Sequence, residues 1–393
     1  MNGRGYIYSV VAAALVVVLL FSWSAAGQAQ VFDVAARAAI LIDAETGQVL
    51  FEKNADQPYE PASLVKIMTL LVAMDAVKAG RVSLTDPVRT SQRAAAVGGS
   101  QVYLAVGETH PLEKMLKAVA IASGNDASMA VAEFIAGTED AFVQLMNERA
   151  RQIGMKQSRF TNADGLPPEP GEEPSLASAR DIALASRTLI LEHPKVLEWT
   201  STAMETFREN PLFILYNTNG LVGKYEGLDG LKTGHTTAAG WCLAATAVRG
   251  NVRLISVIMG AESRAAREEQ TRALLDYGFN RFAPVLAGEG EVGAAKVVTG
   301  IPEQVPVRVE RPVWAHVPRG QNVELVTEIV TRPDLVAPIA QGEQVGEYVV
   351  YLGGQEAFRV PVYAAVDVER ASVFVRAWRA VRDFVLDLVG RGA

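Results

Sequence analysis

Residues 228–263 read LDGLKTGHTTAAGWCLAATAVRGNVRLISVIMGAES. Two apolar runs alternate on either side of Arg249-Gly250-Asn251, which predicts two long strands joined as a hairpin. LDGLKTGHT leads into them as a further strand, and REEQTRALLDYGFNRF, 267–282, follows as a closing helix. Far upstream, residues 37–56 alternate around Thr46-Gly47 and read as another hairpin. Between the two strand regions the pattern is helical. Residues 62–80 are apolar at helical spacing and stop at Gly80, the mark of a buried helix. LEKMLKAVAIAS, NDASMAVAEFIAG and EDAFVQLMNERARQIG continue the helical run, and a loop rich in Pro and Glu interrupts it at 162–175. A chain that starts and ends at one sheet and inserts helices between predicts an α/β (α+β) body with an antiparallel sheet.

Composition shifts after Phe282. Residues 283–366 are rich in Val, Pro and Gly without helical periodicity and read as a small all-β domain. Within the tail, 367–393, residues Phe374, Trp378, Val381, Val385 and Leu388 share one helical face. Arg376, Arg379, Asp383 and Asp387 share the other. Such a helix is too charged to cross a bilayer and suits its surface, with arginines near lipid phosphates. At the other end, residues 1–29 combine Arg4, an apolar run from Val10 to Phe21 and small residues Gly27 and Ala29. That is the layout of a secretory signal peptide. The body, 30–282 and beyond, is therefore expected outside the cytoplasm, on the outer face of the membrane that the tail touches.

The chain has 393 residues, 49% of them hydrophobic and 21% charged, enough apolar material for more than one core. A net charge of −7 gives no reason to expect nucleic acid as a partner. A single cysteine, Cys242, rules out an internal disulfide. It lies in an apolar run and reads as a buried small side chain rather than a nucleophile. No His, Cys and carboxylate cluster has metal-ligand spacing, so neither metal nor cofactor is expected. Oligomeric state is not legible.

Three short patterns carry the chemistry. In ASLVKIMT, 62–69, Ser63 and Lys66 are three apart and share a face if the segment is helical. Alone, Ser63 could cap the helix and Lys66 could face water; about one such four-residue match is expected by chance in a chain this long. Ser123-Gly124-Asn125 falls in the break between two helical segments, and Lys232-Thr233-Gly234 heads the strand region. The order S-x-x-K, S-x-N, K-T-G, at spacings of about 60 and 110 residues, is the signature of serine-active penicillin-binding proteins and β-lactamases.

With ASLVKIMT, SGNDASMAVAE and EGLDGLKTGHTTAAG together, residues 31–282 closely resemble the D-alanyl-D-alanine carboxypeptidases, the low-molecular-mass penicillin-binding proteins. The β-rich domain and amphipathic tail fit that family. The resemblance implies a β-lactamase/transpeptidase-like fold acting on peptidoglycan stem peptides and acylated by β-lactams. A D,D-endopeptidase or β-lactamase on the same fold is the alternative. Ser63 is then the nucleophile and Lys66 its base, kept neutral by burial and by the Lys232 cation. Ser123 bridges the two lysines and hands a proton to the departing amine. Asn125 meets the substrate carbonyl or orients Lys66. Lys232 and Thr233 meet the terminal carboxylate, and Gly234 leaves room for a substrate along the strand. The backbone N–H groups of Ser63 and His235 form the oxyanion hole; the His235 backbone matters more than its ring. Glu169, Glu172 and Glu173 read as a solvated loop. Two positions depart from the family. Val65 stands where many relatives have Thr. Thr218, in NTNGL, stands where some carry Arg, so carboxylate recognition would rest more on Lys232 and Thr233.

Overall fold

A computed structural model describes residues 32–390 apart from 298 and 334, with the backbone alone for 383–390. The expected signal sequence lies outside the described residues, as do the side chains of Asp383, Val385, Asp387 and Leu388.

β1 (Ala38–Asp43) turns back as β2 (Val49–Lys53). A 3-10 turn, Ala62–Val65, runs directly into α1 (Lys66–Lys78). There follow β3 (Pro87–Arg89), α2 (Gln92–Ala96), β4 (Thr109–Pro111), α3 (Leu112–Ala122), α4 (Asn125–Ala136), α5 (Glu139–Gln152), α6 (Ala179–Glu192) and α7 (Val196–Thr200). A hairpin of β5 (Met204–Glu209) and β6 (Leu212–Tyr216) completes the insert. The chain returns to the sheet as β7 (Leu228–Thr236), β8 (Gly240–Arg249) and β9 (Val252–Ala261) and closes with α8 (Arg264–Arg281). The sheet order is β2-β1-β9-β8-β7, antiparallel throughout. β7, the strand bearing Lys232-Thr233-Gly234, is therefore an edge.

Strand alternation divides the apolar residues between the two faces. Ala38, Ile40 and Ile42 of β1, with Ile255, Val257 and Met259 of β9, join the core shared with the helical insert. Leu41 and Leu254 point the other way, onto α8. The backbone there is so close that a Cβ on Gly278 would lie 2.7 and 2.6 Å from their methyl carbons. α1 has ten of its thirteen residues buried, as a helix apolar all round must. Its N-cap is Val65, with no side-chain cap bond. The capping role read for Ser63 is thus not its role: Ser63 sits inside the 3-10 turn.

Beyond α8 come β10 (Phe282–Gly288), β11 (Glu291–Lys296), β12 (Gly300–Ile301), β13 (Gln304–Arg308), β14 (Val313–Pro318), β15 (Leu325–Thr331), β16 (Gln344–Leu352), β17 (Gln355–Ala364) and β18 (Glu369–Arg370). The main sheet of this all-β domain has the order β11-β13-β17-β16-β15, over a core that includes Val305, Val307, Val345, Val350 and Val362. The final helix, α9 (Val373–Gly390), exposes Phe374 (88%), Trp378 (70%) and Val381 (56%). Its arginines do not face outward as the sequence reading expected. Arg379 donates to the Gly300 carbonyl at 2.7 Å, and Arg382 makes two bonds to the Glu303 carboxylate at 2.8 and 3.1 Å. Glu303 gives both arginines a counter-charge, and the helix turns its cationic face to the β domain and its apolar face away. Among the described residues, no helix is long and apolar enough to cross a membrane.

Candidate active site

Ser63, Ser123, Thr233, Gly234 and His235 line one cleft of about 410 Å³, together with Ser100, Tyr216, Asn217, Thr218, Trp241, Arg264 and Arg267. Lys66 and Asn125 stand behind Ser63, and Lys232 lies buried beside Thr233. All eight residues singled out in the sequence thus meet at this place.

The nucleophile turn is forced into shape from below. Ala62 has φ +48, unusual for a residue with a side chain. Gly165, at φ +80, packs against it so closely that a Cβ there would lie 2.0 Å from the Ala62 carbonyl oxygen. The chain reaches that position through two side-chain turns typical of Asn and Asp. Asn162 Oδ1 accepts from Gly165 N at 2.7 Å, and Asp164 Oδ1 accepts from Leu166 N at 2.9 Å. From the other side β7 closes in. A Cβ on Gly234 would sit 2.9 Å from the Pro61 carbonyl oxygen and 3.1 Å from Ser63 N. The nucleophile turn therefore requires a glycine here, whatever room it also leaves for a substrate.

Lys66, the first residue of α1, is fully buried. Its Nζ lies 3.0 Å from Ser63 Oγ, 2.6 Å from Asn125 Oδ1 and 2.5 Å from the Asp164 carbonyl oxygen. Burial lowers its pKa to about 8, against the opposing pull of the Asp164 and Asp126 carboxylates. Desolvation is the leading cause. Lys232 is also pushed well down, first by burial and then by the charges of Lys66 and Arg267. Its Nζ donates to the Thr233 carbonyl at 3.0 Å.

Ser123 ends α3 in the left-handed region, φ 63. That turn lets α4 start at Asn125 and brings serine and asparagine to the same wall. The Ser123 hydroxyl faces the cleft and makes no hydrogen bond to either lysine, so the expected bridge is not formed here. Asn125 is committed at both ends of its amide: Oδ1 to Lys66, and Nδ2 to the Gly98 carbonyl at 2.7 Å. This arrangement orients Lys66, and the second hydrogen of Nδ2 is left for the substrate carbonyl, the other role read for it. Thr233 Oγ1 donates to Thr218 Oγ1 at 2.7 Å. The His235 ring stacks on Trp241 at 4.0 Å.

Three contributors escaped the sequence reading. The Asp164 carbonyl holds Lys66, and a backbone acceptor has no residue signature beyond the Asp-Gly turn that aims it. Arg267 is almost fully buried and lines the same cleft as Thr218. Its guanidinium lies over Trp241 at 5.5 Å, and among the described residues its one ion pair, to Glu268, is long at 3.4 Å. Asp126 is the third. Glu169, Glu172 and Glu173 are exposed, as expected, and Cys242 is buried, which pushes its thiol up to about 11. Asp75, Glu192 and His193 also converge. Arg149 donates to both carboxylates there, at 2.8 Å to each, making an ion-pair network.

The D-alanyl-D-alanine carboxypeptidase family matches residues 24–263, and the C-terminal domain of penicillin-binding protein 5 matches residues 283–370. D-alanyl-D-alanine carboxypeptidase DacF of Bacillus subtilis is 37% identical over 354 residues, 89% of this chain and 90% of that protein. DacC of Escherichia coli is 35% identical over 369 residues, 90% and 88% of the two chains. Penicillin-binding protein 5 from Haemophilus influenzae superposes with a TM-score of 0.72 at 32% identity, over 86% of this chain and 99% of that one. Penicillin-binding protein D2 from Listeria monocytogenes, in its ampicillin-bound form, gives 0.58 at 32% identity over 63% and 99%. A cleft-facing serine backed by a buried lysine at a sheet edge, with matches over both the peptidase body and the β-rich domain, places this chain in the D-alanyl-D-alanine carboxypeptidase family.

Proposed function

We propose that this chain is a serine D-Ala-D-Ala carboxypeptidase that trims the terminal D-Ala from peptidoglycan stem peptides and is acylated by β-lactams. One observation carries the reading. Asn125 Oδ1 and the Asp164 carbonyl can only accept, so they take two hydrogens of the Lys66 amine. The third direction points at Ser63 Oγ. In the neutral amine that direction is the lone pair, aimed at the serine proton.

Ser63 Oγ attacks the carbonyl of the penultimate D-Ala while Lys66 takes its proton. The backbone N–H groups of Ser63 and His235 hold the oxyanion. The C–N bond breaks, and the leaving D-Ala amine gains a proton through Ser123. Water then cleaves the ester and restores Ser63. Lys232, Thr233 and Arg267 receive the substrate's terminal carboxylate, with Arg267 in place of a cation at 218. Among the described residues no carboxylate hydrogen-bonds Ser63 or Lys66, which favours a lasting acyl-enzyme over a β-lactamase's rapid release.

Residues 30–282 are the catalytic unit in this reading, 283–366 the β-rich domain, and 367–393 a helix that lies on the outer face of the cytoplasmic membrane through Phe374, Trp378 and Val381. Mass spectrometry after a β-lactam should find the adduct on Ser63, followed by D-Ala release from a peptide ending in D-Ala-D-Ala. An adduct persisting in Ser63→Ala, or fast release of hydrolysed β-lactam, would overturn it.

A further inference from the structure

Asp126 is fully buried in the first turn of α4, and among the described residues no Lys, Arg or His pairs with it. Its carboxylate is filled by backbone N–H groups instead. Val102 N donates to both oxygens at 3.1 Å, Leu104 N to Oδ2 at 3.1 Å, and Ala127 N to Oδ1 at 2.9 Å. Amides two residues apart reach one anion only if the residue between them turns. Tyr103 does so at φ +56, a conformation that costs on the order of 1–3 kcal/mol and persists only when its surroundings impose it. The outer side of the same loop is gripped by Arg208. Its guanidinium donates to the Val102 and Tyr103 carbonyls at 3.2 and 3.0 Å and to Glu108 at 2.9 and 3.0 Å.

The residue before Asp126 holds the rest of the loop. Asn125 N donates to the Ser100 carbonyl, and Asn125 Nδ2 to the Gly98 carbonyl, both at 2.7 Å. Gly99 lies flat on that amide; a Cβ there would come within 2.7 Å of Nδ2. The Gly98 carbonyl fixes which end of the amide faces Lys66. Swapping its ends would place Nδ2 against Nζ, donor against donor.

We infer that Asp126 is a positioning residue for acylation, acting through the loop 98–105 and Asn125 to aim Lys66 at Ser63. This rests on, and deepens, the assignment of Ser63 and Lys66 as nucleophile and base. Asp126 has a second handle on Lys66, because its charge favours the ammonium form; Asp164 acts in the same direction and Lys232 lies in the same wall.

The test compares β-lactam acylation rates from pH 6 to 10 in the full chain and in two variants. Wild-type acylation at Ser63 is the check on the underlying assignment, independent of Asp126. Asp126→Asn turns an NH₂ toward the loop amides. It should slow acylation by about 100-fold, the loss typical of an ångström-scale misplacement, and shift the midpoint of the pH profile downward. Arg208→Ala loosens the loop without touching the lysine's charges. It should slow acylation by on the order of 10-fold with the midpoint unmoved. A wild-type rate and midpoint in Asp126→Asn would overturn the inference. If Asp126→Asn does not fold, Arg208→Ala decides: a wild-type rate there overturns it, and a slowed rate with an unchanged midpoint supports it.

Discussion

At the junction between the peptidase sheet and the β-rich domain, buried polar groups are matched one for one. Asp43 Oδ2 meets His316 Nε2 at 2.9 Å. The Gln48 amide bonds the His316 backbone twice, giving to its carbonyl and receiving from its N–H, each at 2.7 Å. The cleft is built the other way. Lys66, Lys232 and Arg267 are all buried, and among the described residues the one carboxylate in ion-pair range is Glu268, at 3.4 Å from Arg267. Burying charge without a counter-ion is costly. A fold keeps it where something from outside completes the set, which in the proposed mechanism is a substrate carboxylate and a proton in transit. The junction is a place of stability and the cleft a place of work.

That contrast can be broken at either end. Lys66→Ala removes the base and should cut acylation by about 10²–10⁴-fold, the usual worth of a positioned base, while the fold persists by circular dichroism. Near-normal acylation would leave the cleft's arrangement without a purpose. Arg267→Gln should raise KM for a D-Ala-D-Ala peptide by roughly 10- to 100-fold, the worth of one charged hydrogen bond, and leave kcat close to wild type. An unchanged KM would mean that Lys232 and Thr233 hold the carboxylate alone. At the junction the signs reverse. Gln48→Ala strands the buried N–H and carbonyl of His316 and should cost about 1–3 kcal/mol of stability, measured by urea denaturation, with acylation unaltered. Smallest in its effect on the cleft, replacing Phe374 and Trp378 with Ser should release the chain from anionic vesicles without changing acylation at all.

How much of this was legible follows the same divide. Ser63, Lys66, Ser123, Asn125, Lys232 and Thr233 announce themselves because side-chain chemistry leaves residue types at fixed spacing. The strands of the main sheet were legible for a similar reason, since both faces of β8 and β9 are buried and the apolar runs are long. What the sequence hid is what backbone does. The Asp164 carbonyl, the Ser63 turn pressed by Gly165 and Gly234, and the Val102 and Leu104 amides on Asp126 carry no signature of their own. Arg267 was hidden differently: it opens a charged helix and reads as solvated until α8 is packed on the sheet. The arginines of the tail were misread because their partner, Glu303, lies some eighty residues away in sequence.

The central claim is that Lys66 is the base because it is buried beside acceptors that leave its lone pair on Ser63. With a pKa of about 8, roughly one tenth of the lysine is neutral at pH 7, and the neutral fraction rises with pH. The acylation rate of the wild-type chain by a β-lactam, measured from pH 6 to 10, should climb about tenfold per unit, bend near pH 8 and then level. A rate that is flat across that range, or that falls as pH rises through 8, would contradict it.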